Sequence, residues 1–87
     1  MSRPLYEIAS EIRQDWREPF GNTFISKVNP AAKPYLDAMA GLVDIHDYYG
    51  LDSGKSVVLY FLANAGTWRG EKAREIKAEL KKMVGLK

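Results

Sequence analysis

Ser53-Gly54-Lys55-Ser56-Val57-Val58-Leu59-Tyr60-Phe61-Leu62-Ala63-Asn64 is the stretch whose reading decides the fold. From Val57 to Ala63 it is an unbroken apolar run. A run of this length is either a buried strand or a buried helix, and periodicity alone does not separate the two. Three features select helix. Asp52 or Ser53 stands where a helix cap is needed, the pattern continues through Asn64-Ala65, and no second strong strand is present to pair with it. A helix apolar on nearly all sides is either central in its fold or covered by a partner. The segment therefore predicts a central helix 3, with Val57, Val58, Phe61 and Leu62 facing inward.

Outward from that centre, Gly66-Thr67 separates helix 3 from helix 4, with Thr67 as the expected cap. Ala73, Ile76, Leu80, Met83 and Val84 form the apolar stripe of helix 4, and Gly85 ends it. Toward the N-terminus, Leu5, Ile8, Ala9, Ile12 and Trp16 recur at helical spacing and predict helix 1 from Pro4 to about Arg17. Helix 2 is expected to start at Asn29-Pro30 or Lys33-Pro34. Its stripe is Tyr35, Leu36, Met39, Leu42, Val43 and His46, and Gly50 is its stop. Between helices 1 and 2, Pro19 and Gly21-Asn22 punctuate the segment from Glu18 to Asn29. Thr23 to Val28 alternates weakly, but a lone strand has no partner there. The expectation is an ordered, irregular loop pinned by Phe20, Phe24 or Ile25. The predicted fold is all-α, a small four-helix bundle forming one domain over residues 1–87.

Composition narrows the function classes. Hydrophobic residues make up 46% of the chain, enough for a packed core and too many for disorder. Cysteine is absent, which excludes disulfides, thiolate metal sites and a cysteine nucleophile, and fits a reducing cytoplasm. No apolar run approaches the roughly 20 residues that cross a bilayer, and Met1-Ser2-Arg3-Pro4 lacks the apolar core of a signal peptide. A cytoplasmic protein without membrane contact is expected. The net charge of +2 is unevenly spread. Residues 1–64 hold eight acidic against six basic side chains, and residues 65–87 hold seven basic against three acidic. The basic end suits an acidic partner or a phosphate backbone, although interleaved Glu and Lys are also what a solvated helix face shows.

Several constellations invite chemistry. Gly50-Leu51-Asp52-Ser53-Gly54-Lys55-Ser56 looks like a phosphate loop, but three residues stand between Gly50 and Gly54 where that motif needs four, and no strand of the required kind precedes it. What survives is weak anion binding by Ser53, Gly54, Lys55 and Ser56 at the start of helix 3, against the reading of a plain helix start. Asp44, Asp47 and Asp52 cluster near His46, the one histidine. The spacing fails as an EF-hand, so no metal site is expected, and Asp44 and Asp47 would share a face of helix 2. No nucleophile–base pair is recognisable, so no catalytic residue, no cofactor and no enzymatic activity are expected. Trp16, Trp68 and the tyrosines suit either core packing or an interface. Helices 3 and 4 resemble a helix-turn-helix in outline, with Thr67, Arg69, Lys72 and Arg74 presented to a groove. Glu71 and Glu75 would face phosphates on the same helix.

The segments Leu5-Tyr6-Glu7-Ile8-Ala9, Pro34-Tyr35-Leu36-Asp37-Ala38-Met39, Tyr49-Gly50-Leu51-Asp52-Ser53-Gly54-Lys55-Ser56, Tyr60-Phe61-Leu62-Ala63-Asn64-Ala65 and Thr67-Trp68-Arg69-Gly70-Glu71 carry a likeness. Together they resemble a group of small uncharacterised proteins encoded by bacteriophages and mobile elements. The resemblance covers most of the chain outside Glu18 to Asn29 and brings no activity or site residues with it. It implies a stoichiometric accessory protein in the host cytoplasm. Such a protein binds and inhibits a host protein or protein–nucleic acid complex, for example an antiviral CRISPR–Cas assembly.

The expected contact surface combines Trp68, Arg69, Lys72 and Arg74 with Phe20 and Phe24. Asp44, Asp47 and Asp52 are the alternative acidic surface, as an imitation of nucleic-acid phosphates. Direct DNA or RNA binding through helix 4, and capture of a small nucleotide signal at the start of helix 3, are the other readings. A homodimer that covers an over-apolar helix 3 is a further expectation.

Overall fold

The described residues form four helices and two small β-hairpins, so the protein is mostly helical but not a clean all-α bundle. The computed structural model describes residues 3–20 and 23–85, with side chains described outside 18–20 and 23–25. The elements are α1 (Leu5–Asp15), β1 (Arg17–Phe20), β2 (Thr23–Ser26), α2 (Lys33–Met39), β3 (Tyr48–Tyr49), β4 (Asp52–Ser53), α3 (Gly54–Ala63) and α4 (Glu71–Met83).

The predicted stripes build one core. Leu5, Ile8, Ala9, Ile12 and Trp16 of the first stripe are all buried. They meet Leu36 and Met39 of α2, Val57, Val58 and Phe61 of α3, and Ala73, Ile76, Leu80 and Val84 from α4 and its end. Each fully buried aliphatic or phenyl side chain contributes about 1.5–3 kcal/mol by leaving water. α3 packs most broadly on α2, and α1 lies against both α2 and α4. The run that decided the fold is helical and central, as its sequence requires. One face still reaches solvent through Tyr60, whose ring stacks on Tyr35 at 5.3 Å between centroids.

Three boundaries differ from expectation. The segment read as an irregular loop is an antiparallel hairpin, with Arg17 opposite Ser26, Glu18 opposite Ile25, Pro19 opposite Phe24 and Phe20 opposite Thr23. Gly21 and Asn22, between the strands, lie outside the described residues. Lys27 N–H donates to the Trp16 carbonyl at 3.0 Å just beyond the last pair. Ladder bonds alternate along an antiparallel pair, so Pro19 falls at a position where its missing N–H removes no bond.

Helix 2 stops at Met39 instead of continuing to Gly50. Leu42 remains buried, but Val43 and His46 are exposed and the chain from Ala40 to Asp47 is a turn-rich loop. Helix 4 begins at Glu71, so its cap position is Gly70 and not the expected Thr67. Gly70 precedes it with φ 115°, a left-handed conformation suited to glycine that breaks the chain from the helix.

The loop after α2 closes two helices at once. Leu5 and Tyr6 at the start of α1 donate their N–H groups to the carbonyls of Val43 and Leu42, both at 2.9 Å. Gly54 and Lys55 at the start of α3 donate to Asp47 and Ile45, at 2.7 and 2.8 Å. The first N–H groups of a helix have no partner within it. Here one loop supplies four carbonyls to two such ends. Ser53, the N-cap of α3, accepts from Ser56 N–H at 3.2 Å.

Candidate functional site

The aromatic residues of the expected contact surface separate into core and periphery. Trp68 is 2% exposed. Its ring stacks on Trp16 at 5.7 Å and meets Phe61 edge-on at 6.4 Å. Its indole N–H donates to Asp15 Oδ2 at 2.8 Å, and Lys77 Nζ donates to its backbone carbonyl at 2.6 Å. Trp68 is therefore a core residue and not a surface anchor. The indole is amphipathic, and here its polar edge found an internal carboxylate. Phe20 and Phe24 lie on β1 and β2, and their side chains fall outside the described residues.

Basic side chains, in contrast, gather. Arg13, Arg17 and Lys33 line a groove of about 320 Å³ whose apolar wall includes Val28 and Leu36. A second groove, about 390 Å³, runs from Arg17 past Lys27 to Arg69. A third hollow of about 230 Å³ holds Arg69, Arg74 and Lys77. Arg17 borders the first two and Arg69 the last two, so the three adjoin. The result is a basic arc across the C-terminal end of α1, the root of the β1–β2 hairpin and the start of α4. Asp15 and Asp37 also border it, but Asp15 accepts from Trp68 and Asp37 is ion-paired with Arg13. Glu71 and Glu75 flank Arg74 on α4. Burial lowers the Lys77 ammonium below its ordinary range, and the charges of Lys81 and Arg69 add to this.

Two of the expected cations, Arg69 and Arg74, belong to the arc. Lys72 does not. It lies 3.4 Å from Glu11 on the α1 side of α4, within a network in which Arg3 pairs with both Glu11 and Glu79. Burial raises the Glu11 carboxyl, but the Arg3 guanidinium, helped by Lys72, outweighs it and holds the group below its usual range. Arg13, Arg17, Lys27, Lys33 and Lys77 escape the sequence reading. Lys77 shares α4 with Arg74, and α1, the β1–β2 hairpin and the start of α2 bring the other four toward Arg69 from up to 56 positions away.

The acidic cluster is largely consumed by its own loop. Asp47 Oδ2 accepts from Val43 N–H at 3.2 Å and Asp44 N–H at 3.0 Å, and Asp44 Oδ1 accepts from His46 N–H at 2.8 Å. Asp44 and Asp47 thus fold the capping loop and do not share a helix face. Asp52 is exposed on β4. Among the described residues no group of three or more His, Cys, Asp or Glu is placed to hold a metal ion.

The weak anion site also changes character. The N–H groups of Gly54 and Lys55 point at loop carbonyls and that of Ser56 at Ser53 Oγ. An anion there would have to displace all three, so Ser53, Gly54, Lys55 and Ser56 form a plain, closed helix start. No helix among the described residues is long and apolar enough to cross a membrane. Comparison with protein-family models, curated proteins and solved structures found no match to this chain.

Proposed function

We propose that this chain is a non-enzymatic binding protein that docks its basic arc on an acidic protein surface. The supporting observation is the convergence of Arg13, Arg17, Lys27, Lys33, Arg69, Arg74 and Lys77 on three adjoining grooves. Interleaved carboxylates on the same rim, Glu71 and Glu75 beside Arg74, favour a protein of mixed charge over a uniform phosphate backbone. The first groove has an apolar wall of Val28 and Leu36, which suits side chains of a partner more than a sugar–phosphate chain.

The narrower reading takes its warrant from the resemblance to phage-encoded proteins. In it the partner is a host complex, such as an antiviral assembly, and occupation of its acidic face blocks it. A pull-down from host lysate supplies the partner, and titration of the purified pair supplies the test. Arg17→Glu/Arg69→Glu, with its helical spectrum intact, is expected to lose at least tenfold in affinity, about 1.4 kcal/mol, while Asp52→Asn keeps wild-type affinity. Full affinity in the double variant refutes the proposal. Direct nucleic-acid binding is the second reading. It requires a duplex shift by the protein alone that weakens steeply with salt.

A further inference from the structure

The end of the molecule remote from the basic arc carries an apolar patch with a defined shape. β3 and β4 form a second hairpin, with Tyr48 opposite Ser53 and Tyr49 opposite Asp52. Gly50 opens its two-residue turn with φ 64°, as a primed hairpin turn requires, and this sets Leu51 at the apex. Leu51 is 99% exposed and Tyr48 70%. Tyr49, whose ring edge lies beside Gly41, is 52% exposed, and Val43 and Tyr6, joined through the backbone contacts that close α1, are 57% and 51% exposed. Beside this ridge lies a hollow of about 470 Å³ whose apolar wall is Pro4, Tyr6, Val43, Ile45 and Met83 and whose rim also carries Arg3, Asp44 and His46.

We infer that this patch is the interface of a two-fold symmetric homodimer, in which Leu51 of each copy seats in the hollow of the other. Two observations select a second copy over a different partner. The surface carries both a projecting apolar knob and a seat with an apolar wall and a polar rim, the self-complementarity that a two-fold contact needs. The area also suffices. Tyr48 and Tyr49 point to opposite faces of the hairpin, so one of them meets the partner. With about 150–250 Å² for each aromatic residue, the four side chains at these exposures hold roughly 500 Å² of accessible surface. Two copies then remove up to about 1,000 Å², the low end of biological interfaces, where contacts are weak and transient. Helix α3 has no part in it: its exposed Tyr60 stacks on Tyr35, and its other large apolar side chains pack on the core. The basic arc lies toward the other end of α1, an 11-residue helix about 16 Å long, and stays open in the dimer.

Light scattering on eluting protein, from about 5 to about 500 µM, reads the mass across the range of such an affinity. The expected result is a rise toward twice the 9.8 kDa of one chain. Leu51→Asp on the knob and Val43→Asp at the seat are each expected to hold the protein at monomer mass with an unchanged circular dichroism spectrum. Tyr60→Ser, on the exposed face of α3, is expected to dimerise like wild type. A wild-type monomer throughout the range overturns the inference. So does a dimer that survives Leu51→Asp, or one abolished by Tyr60→Ser.

Discussion

Gly54→Ala tests the capping loop directly. In an unobstructed helix the change would stabilise by about 1 kcal/mol, because alanine is the better helix former. Here a Cβ at position 54 would stand 2.6 Å from the Asp44 carbonyl oxygen, 2.8 Å from Ile45 Cα and 3.0 Å from the Ile45 carbonyl carbon. These are backbone atoms, so no rotamer change relieves the contact. The loop must retreat by roughly 0.8 Å to restore ordinary separations. That movement lengthens the bonds from Gly54 N–H to Asp47 and from Lys55 N–H to Ile45, now 2.7 and 2.8 Å, past useful hydrogen-bond range.

Each donor left unpaired in a closed site costs about 1–3 kcal/mol. For two donors, less the helix gain, the net loss is about 1–5 kcal/mol, centred near 3 kcal/mol. In a domain of this size each kcal/mol moves Tm by about 4–8 °C, so the central value corresponds to a fall of roughly 12–24 °C. Far-UV circular dichroism melts, checked by urea titration, measure it. Gly66→Ala is the companion variant, since nothing lies within 4 Å of its added carbon, and its stability should stay within about 0.5 kcal/mol of wild type. A Gly54→Ala protein as stable as its parent would refute the reasoning.

Trp68→Ala removes a ring packed between Trp16 and Phe61 and should cost about 3–5 kcal/mol, a large part of a small domain's margin. Loss of near-UV dichroism and a much lower Tm are expected, and an unchanged melt would place the indole outside the core. Glu11 titrates below its ordinary value in the folded chain. Its contribution is therefore present above that value and is lost as pH falls through the folded pKa. Wild type should lose Tm more steeply than Glu11→Gln between about pH 5 and pH 3, and the two should converge in acid. Parallel curves would mean that the Arg3 pairing contributes nothing to stability.

Periodicity carried much of the architecture. The stripes of α1, α3 and α4 are local patterns, and Ser53 announces its cap by residue type and position. The hairpin was legible in principle. Gly21-Asn22 is a two-residue turn signal and Thr23 to Val28 is rich in β-formers, but Arg17-Glu18-Pro19-Phe20, with its charges and proline, does not read as the partner strand that it is. Gly70 was a similar sign, because glycine inside a helical pattern lowers the odds that the helix passes through it. With Thr67 as the expected cap, Trp68 stands in the first turn of helix 4 and stays open to either the core or an interface.

The early stop of α2 was half legible. Gly41, next to the C-cap Ala40, is a stop signal inside the predicted pattern, but Leu42 and Val43 continue the helical stripe past it, and their carbonyl bonds to Tyr6 and Leu5 are distant in sequence. The basic arc was half legible for the same reason. Arg69 and Arg74 stand on one helix, while Arg13, Arg17, Lys27 and Lys33 join them only through tertiary placement.

A surface loop is ordinarily where a chain can change length. Residues 42–47 reverse that rule. A single inserted residue would put its carbonyls out of step with α1 or α3, so this segment has to keep its length even as its exposed side chains vary. An engineer wishing to splice in a tag, or to open new termini by circular permutation, should cut near Gly66-Thr67, where the backbone is exposed, and leave this connection whole.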